Sequence, residues 1–199
     1  MVVLVALVAG SCSGKKDHNG GGATSTTDAN ALTFFKGAPP WGLADRQADR
    51  MAEAELPALT AEGLVVHFHA HLDVFDNGAP VTIPAGVGVD LDRRLISPLH
   101  THFDDGVLHV ESDTPITVTL GQFLTEWGLR VAGNCIANVC SPDPIAVFVN
   151  GAKQGGVATE VEIKPDTEIA LVLGTPPPKI PKGYTCADPR DACPATPSP

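Results

Sequence analysis

The sequence has little positive charge, few aromatic residues and almost no methionine. Thirteen Lys and Arg stand against 23 Asp and Glu, for a formal net charge of −10. There is no basic stripe to neutralise phosphates, which argues against nucleic acid as a partner. An anionic membrane surface is disfavoured for the same reason. No apolar run approaches the roughly 18 residues that a spanning helix needs. Methionine occurs only as Met1 and Met51, which speaks against Met-rich Cu(I) carriage. Several catalytic signatures are also missing. There is no G-x-S-x-G nucleophile elbow, no Walker-type glycine loop and no G-x-G-x-x-G after a strand.

The two ends read as an address and a tail. An apolar run, Val2 to Ala9, leads into Gly10-Ser11-Cys12, a short secretory-type segment ending in small residues. A Cys in that place resembles a bacterial lipobox, and the resemblance implies lipidation of Cys12. Residues 13–40 then form a tether, most flexible in the Gly/Ser/Thr-rich stretch up to Asn30. Residues 175–199 hold eight prolines and are expected to be extended and weakly ordered. The chain would thus sit in the cell envelope on the outer face of a membrane, touching lipid only through its anchor.

Cysteine usage agrees with export. Setting Cys12 aside leaves Cys135, Cys140, Cys186 and Cys193, an even number. Local pairs 135–140 and 186–193 are the simplest connectivity, and cross-pairing of the tail to the core stays open. Oxidised cysteines would not serve as nucleophiles.

The body is expected to be α+β: a β-rich single domain of hairpins with one short packed helix. Residues 41–63 form a helical prelude, with Leu43, Arg50, Met51, Ala54 and Leu56 on one side and Pro57 as the stop. The domain proper runs from 64 to 174. From Leu64 the period is two, with Val66, Phe68, Ala70, Leu72 and Val74 on one face. Asn77-Gly78 and Asp104-Asp105-Gly106 are turn signals. Leu120, Phe123, Leu124 and Trp127 give an amphipathic helix, capped by Thr119 with Gln122 and stopped by Gly128. Ile145 to Val149 is a strand closed by Asn150-Gly151. Residues 157–163 and 168–173 are expected to pair as a hairpin around Lys164-Pro165-Asp166.

Histidine carries the chemistry. Six of the seven histidines fall between His67 and His109. His67, His69 and His71 share one face of the first strand. His100 and His102 alternate with Leu99, Thr101 and Phe103, and His109 alternates with Leu108 and Val110. Alternate strand residues project side by side, so H-x-H delivers two imidazoles to one cation and neighbouring strands add more. Glu111 shares the face of His109, and Asp73 that of His71, as ligands or ring-holding partners. Nitrogen and carboxylate donors without thiolate suit a divalent transition metal, Cu²⁺ or Zn²⁺. A polar surface that happens to use histidine, and a pH-sensitive cluster, are the competing readings.

The order strand, helix, strand with Asn-Gly, hairpin over residues 116–173 resembles the second half of ubiquitin-like sulfur carriers of the β-grasp type. That resemblance implies topology alone, because Leu173-Gly174 runs on into prolines where the carriers end in Gly-Gly. The motifs His67-Phe68-His69-Ala70-His71, Ser97-Pro98-Leu99-His100-Thr101-His102 and His109-Val110-Glu111-Ser112 also resemble a family of uncharacterised exported bacterial proteins. The resemblance spans the whole expected body and implies no particular substrate. Three functions remain in competition: a metal-binding module for buffering, delivery or sensing; a metal-dependent hydrolase or oxidase with Glu111 as acid or base; and a structural domain without metal. No protein partner is legible.

Overall fold

The computed structural model describes residues 31–186. Cys12, the first part of the tether and Cys193 lie outside the described residues. In chain order the elements are α1 (Gln47–Glu53), β1 (Val66–Asp76), β2 (Ala79–Val81), β3 (Val89–Asp90), β4 (Leu95–Ile96), β5 (Leu99–His100) and β6 (Val107–Ser112). They continue with α2 (Leu120–Trp127), β7 (Val131–Ala132), β8 (Cys135–Ile136), β9 (Val139–Cys140), β10 (Ala146–Val149), β11 (Ala152–Lys153) and β12 (Glu168–Leu173). The fold is α+β and β-rich, as its alternating apolar pattern leads one to expect.

The main sheet has the order β11-β10-β12-β1-β6-β5, and β2 pairs with the far end of β1. β1 is 11 residues long and serves several neighbours. Its first half runs antiparallel to β6, and its second half runs parallel to β12. β12 is buried along its whole length. A central strand covered on both faces needs apolar side chains on both. Ile169, Leu171 and Leu173 accordingly join the main core, while Ala170 and Val172 join a second cluster with Phe75.

The main core lies between the sheet and α2. Ala70, Leu72 and Val74 of β1 and Leu108 and Val110 of β6 share it with Leu120, Phe123, Leu124 and Trp127. α2 begins with the capping box read from sequence. Thr119 Oγ1 accepts from the Gln122 backbone N–H at 3.4 Å, and Gln122 Oε1 accepts from the Thr119 N–H at 3.0 Å. It ends at Gly128, whose φ of 91° is the left-handed C-terminal stop.

Within the body, three expectations change. The prelude is helical only over α1, because Arg46 and Glu55 both take left-handed φ and bracket it. Residues 157–163 do not form a hairpin with β12, since both edges of β12 are occupied by β1 and β10. They make a 3₁₀ turn, Ala158–Glu160, and then dock on the start of α2 through a Thr119↔Glu162 bridge and Ile163 N–H to Val118 O. The strand expected at Ile116 is represented by that one bridge at Thr119. The helix α2 is followed in the chain by β10 with Asn150-Gly151, β11 and β12.

The flanks pack on the body. Phe35 N–H donates to Gly128 O and Gly37 N–H to Ala137 O. Buried Arg50 donates to Thr33 O and Asp45 O, each at 2.6 Å, tying this stretch to α1. At the other end Ile180 packs on the second apolar cluster, and Tyr184 is 5% exposed. The proline-rich segment is therefore docked rather than loose over its described part. Cys135 and Cys140 are disulfide-bonded across the β8–β9 hairpin. Cys186 is also disulfide-bonded. Among the described residues no helix is long and apolar enough to cross a membrane.

Candidate metal centre

Register puts the histidines in a row. His69 of β1 lies opposite His109 of β6, and His109 lies opposite His100 of β5. Directly opposed residues of neighbouring strands hold their Cβ atoms roughly 5 Å apart, so the three rings must meet. Ring centroids are 4.5 Å apart for His69–His109 and 5.3 Å for His100–His109. One pair further along, His67 faces Glu111. His102 lies just past the end of β5 and folds back onto the row, 4.7 Å from His100 and 4.4 Å from His109.

Five imidazoles and one carboxylate thus form a continuous cluster. His100, His102, His109 and Glu111 offer one ligand atom each, all within 4.8 Å of one another. His67, His69 and Glu111 do the same, so Glu111 belongs to both groups. Two ligands on a tetrahedral zinc, each at the usual Zn–N distance, are about 3.3 Å apart. The nitrogens His100 Nε2 and His102 Nε2 are 3.2 Å apart. Glu111 Oε1 is 3.4 Å from both His67 Nε2 and His109 Nδ1. These spacings already match a coordination sphere.

His100 shows how the protein prepares a ligand. Its Nδ1 lies 2.9 Å from Ser97 O, and a carbonyl can only accept, so Nδ1 carries the hydrogen. Nε2 is left with its lone pair directed at the cluster. Burial, with help from His102 and His109, pushes the His100 imidazole down to about 3, so the ring is neutral and ready to bind. Gly88 makes this possible. At φ 74° it packs so closely that a Cβ would lie 2.5 Å from Leu99 O and 3.0 Å from both Ser97 and His100 Cβ. Burial alone would raise Glu111, but its hydrogen bond to His109 and the electrostatic pull of the neighbouring imidazoles outweigh that and hold it below the usual carboxylate range.

Two members of the cluster reach solvent. His69, His100, His109 and Glu111 are buried, whereas His67 is half-exposed and about a third of His102 is exposed. A groove of about 580 Å³, lined by residues that include Glu53, Thr119, Gln122 and Arg130, has no histidine in its lining.

The sequence placed His67, His69, His100, His102, His109 and Glu111 in the site, and the fold brings all six together. His71 is diverted into a separate group with Asp73 and Glu168. Two contributors escape a sequence reading. Glu62 Oε1 reaches His102 Nε2 at 3.3 Å, and Ser97 orients His100 through its backbone. Glu62 has no periodicity or motif to mark it, and Ser97 opens the Ser97-Pro98-Leu99-His100-Thr101-His102 motif without its backbone role being legible there. The chain matches no family model, no curated protein and no solved structure.

Proposed function

We propose that this protein is a lipid-anchored, extracytoplasmic metal-binding module that holds Cu²⁺ or Zn²⁺ for buffering, delivery or sensing. The carrying observation is the cross-strand row His69–His109–His100, joined by His102, His67 and Glu111, with His100 Nε2 freed by the Ser97 carbonyl. An all-imidazole and carboxylate set without thiolate suits these two ions, and copper takes precedence wherever it is present. Glu111 sits within 3.4 Å of two imidazoles and is buried, which suits a ligand better than a solvent-facing acid or base. That favours binding over hydrolysis as the use of the site.

The test is metal content by mass spectrometry of the chain exported to a periplasm and purified without a polyhistidine tag. Near-stoichiometric copper or zinc, lost when His69 and His102 are both replaced by Ala, is the expected result. An exported chain with no bound metal, and no thermal stabilisation by either ion, would sink the proposal.

The address is part of the same reading. Cys12 would carry the lipid and the Gly/Ser/Thr-rich stretch would hold the domain off the membrane, in the manner of exported bacterial lipoproteins with H-x-H-x-H and P-L-H-T-H motifs. The Cys135–Cys140 disulfide is compatible with an oxidising compartment. Incorporation of a labelled fatty acid, abolished by Cys12→Ser, checks it.

A further inference from the structure

The histidine face of β1 carries one more imidazole with its own surroundings. His71 Nε2 lies 2.8 Å from Asp105 O, so this nitrogen must be the one that holds the hydrogen. Gly106 permits the approach: at φ 82°, a Cβ there would sit 2.8 Å from His71 Nε2. In a neutral ring Nδ1 is then a bare lone pair. It faces Glu168 Oε2 at 3.0 Å and Asp73 Oδ2 at 3.9 Å. A lone pair against two carboxylates is repulsive unless positive charge, a proton on Nδ1 or a metal ion, stands between them, and Glu168 does draw the imidazole toward its charged form against the opposing effect of burial.

Glu168 sharpens the point. It is 1% exposed, and its carboxylate is faced by the His71 imidazole and the Asp73 carboxyl. A desolvated carboxylate of that kind is costly without a counter-charge. Its position is fixed by the parallel register His71↔Glu168, by His71 N–H to Thr167 O, and by Asn150 Oδ1 on the Glu168 N–H. The three ligand atoms lie within 4.8 Å of one another on adjacent, rigid strands. Tyr184 stacks on the His71 ring at 5.1 Å and 15° and closes the far side.

We propose that His71, Asp73 and Glu168 form a second divalent-cation site, distinct from the five-histidine cluster and covered by Tyr184. One imidazole and two carboxylates neutralise a dication and make a harder donor set than the first cluster. That set suits the Zn²⁺ and Mn²⁺ class rather than copper. The site shares no residue with the five-histidine cluster, so it stands or falls independently of the function proposed above.

Zinc is the probe, used on the full chain. After equilibrium dialysis, Glu168→Gln and Asp73→Asn should each bind one zinc fewer than the parent. The His69→Ala/His102→Ala chain should keep the zinc held at His71. Glu168→Gln is isosteric, and Asp73 is a third exposed, so matching metal-free melting curves verify the fold. Cleavage by a lysine-specific protease after exposed Lys182 should slow several-fold with zinc in the parent and not in Glu168→Gln. Unchanged zinc content in either variant would make the group a plain buried ion pair and overturn the site. Unslowed cleavage would overturn its closure by Tyr184.

Discussion

Ala70, Leu72 and Val74 of β1 face α2, while His69 and His71 face the opposite way and are largely buried as well. The two faces of one strand follow different rules. On the first, burial is favourable by itself, at about 25 cal/mol for each Å² of apolar surface. On the second, each buried ring costs free energy unless its nitrogens are partnered. The protein meets that cost halfway. One nitrogen of His100 and one of His71 is tied to a backbone carbonyl, Ser97 O or Asp105 O, beside a left-handed glycine. The other nitrogen is left to converge with carboxylates or further imidazoles. The apolar face supplies a fold; the histidine face brings together groups whose geometry could hold a metal ion.

The sharpest way to break that division is to damage the first face. Leu72→Ala should cost about 2–5 kcal/mol of unfolding free energy, as buried leucines do when a cavity is left. The folded fraction should still bind its full complement of zinc. Loss of zinc from chains that remain folded by circular dichroism would show that the faces are not separable.

The converse experiment adds metal. An ion that binds the native chain alone, at a hundredfold excess over its Kd, stabilises by about 2.7 kcal/mol per site. Thermal melts with and without zinc should show such a gain, and His69→Ala/His102→Ala should lose the share due to the five-histidine cluster. A gain of the same size in that variant would place the stabilisation elsewhere.

How far the sequence foretold this division follows from which contacts are local. The capping box, the Gly128 stop, the Cys135–Cys140 pair and the two-residue period of β1 all act within a few residues, and all are legible. The histidine row is legible as a face but not as a row, because register between β1, β6 and β5 decides it. His71 shows the consequence. It shares a face with His69, yet β6 places Val107 opposite it while β12 places Glu168 there. Glu168 stands 97 positions away in sequence, so no local pattern could nominate it. The mistaken hairpin at residues 157–163 has the same origin. Its apolar spacing is real, but β12 had already been claimed on both edges by more distant strands.

One residue violates the rule of the first face and supplies a finer test. Glu126 belongs to α2, is 0% exposed, and has the Ser97 hydroxyl as a hydrogen-bonding neighbour for its carboxylate. Burial raises its carboxyl well above the ordinary value of 4.5, and the Ser97 hydroxyl only partly opposes this. Below pH 4.5 the group is protonated whether the chain is folded or not, and it has no influence on the equilibrium. Above that value the unfolded chain releases the proton while the folded chain keeps it. Stability is then lost as pH rises, at about 1.4 kcal/mol per pH unit, until Glu126 ionises in the folded state. Glu126→Gln removes this one proton and leaves every other titration in place. The difference in unfolding free energy between variant and parent should therefore grow in favour of the variant from pH 4.5 to 7. A difference independent of pH across that range would mean that Glu126 is ionised where it lies. The layer between sheet and helix would then hold a charge, and the contrast between the two faces of β1 would be weaker than their residues suggest.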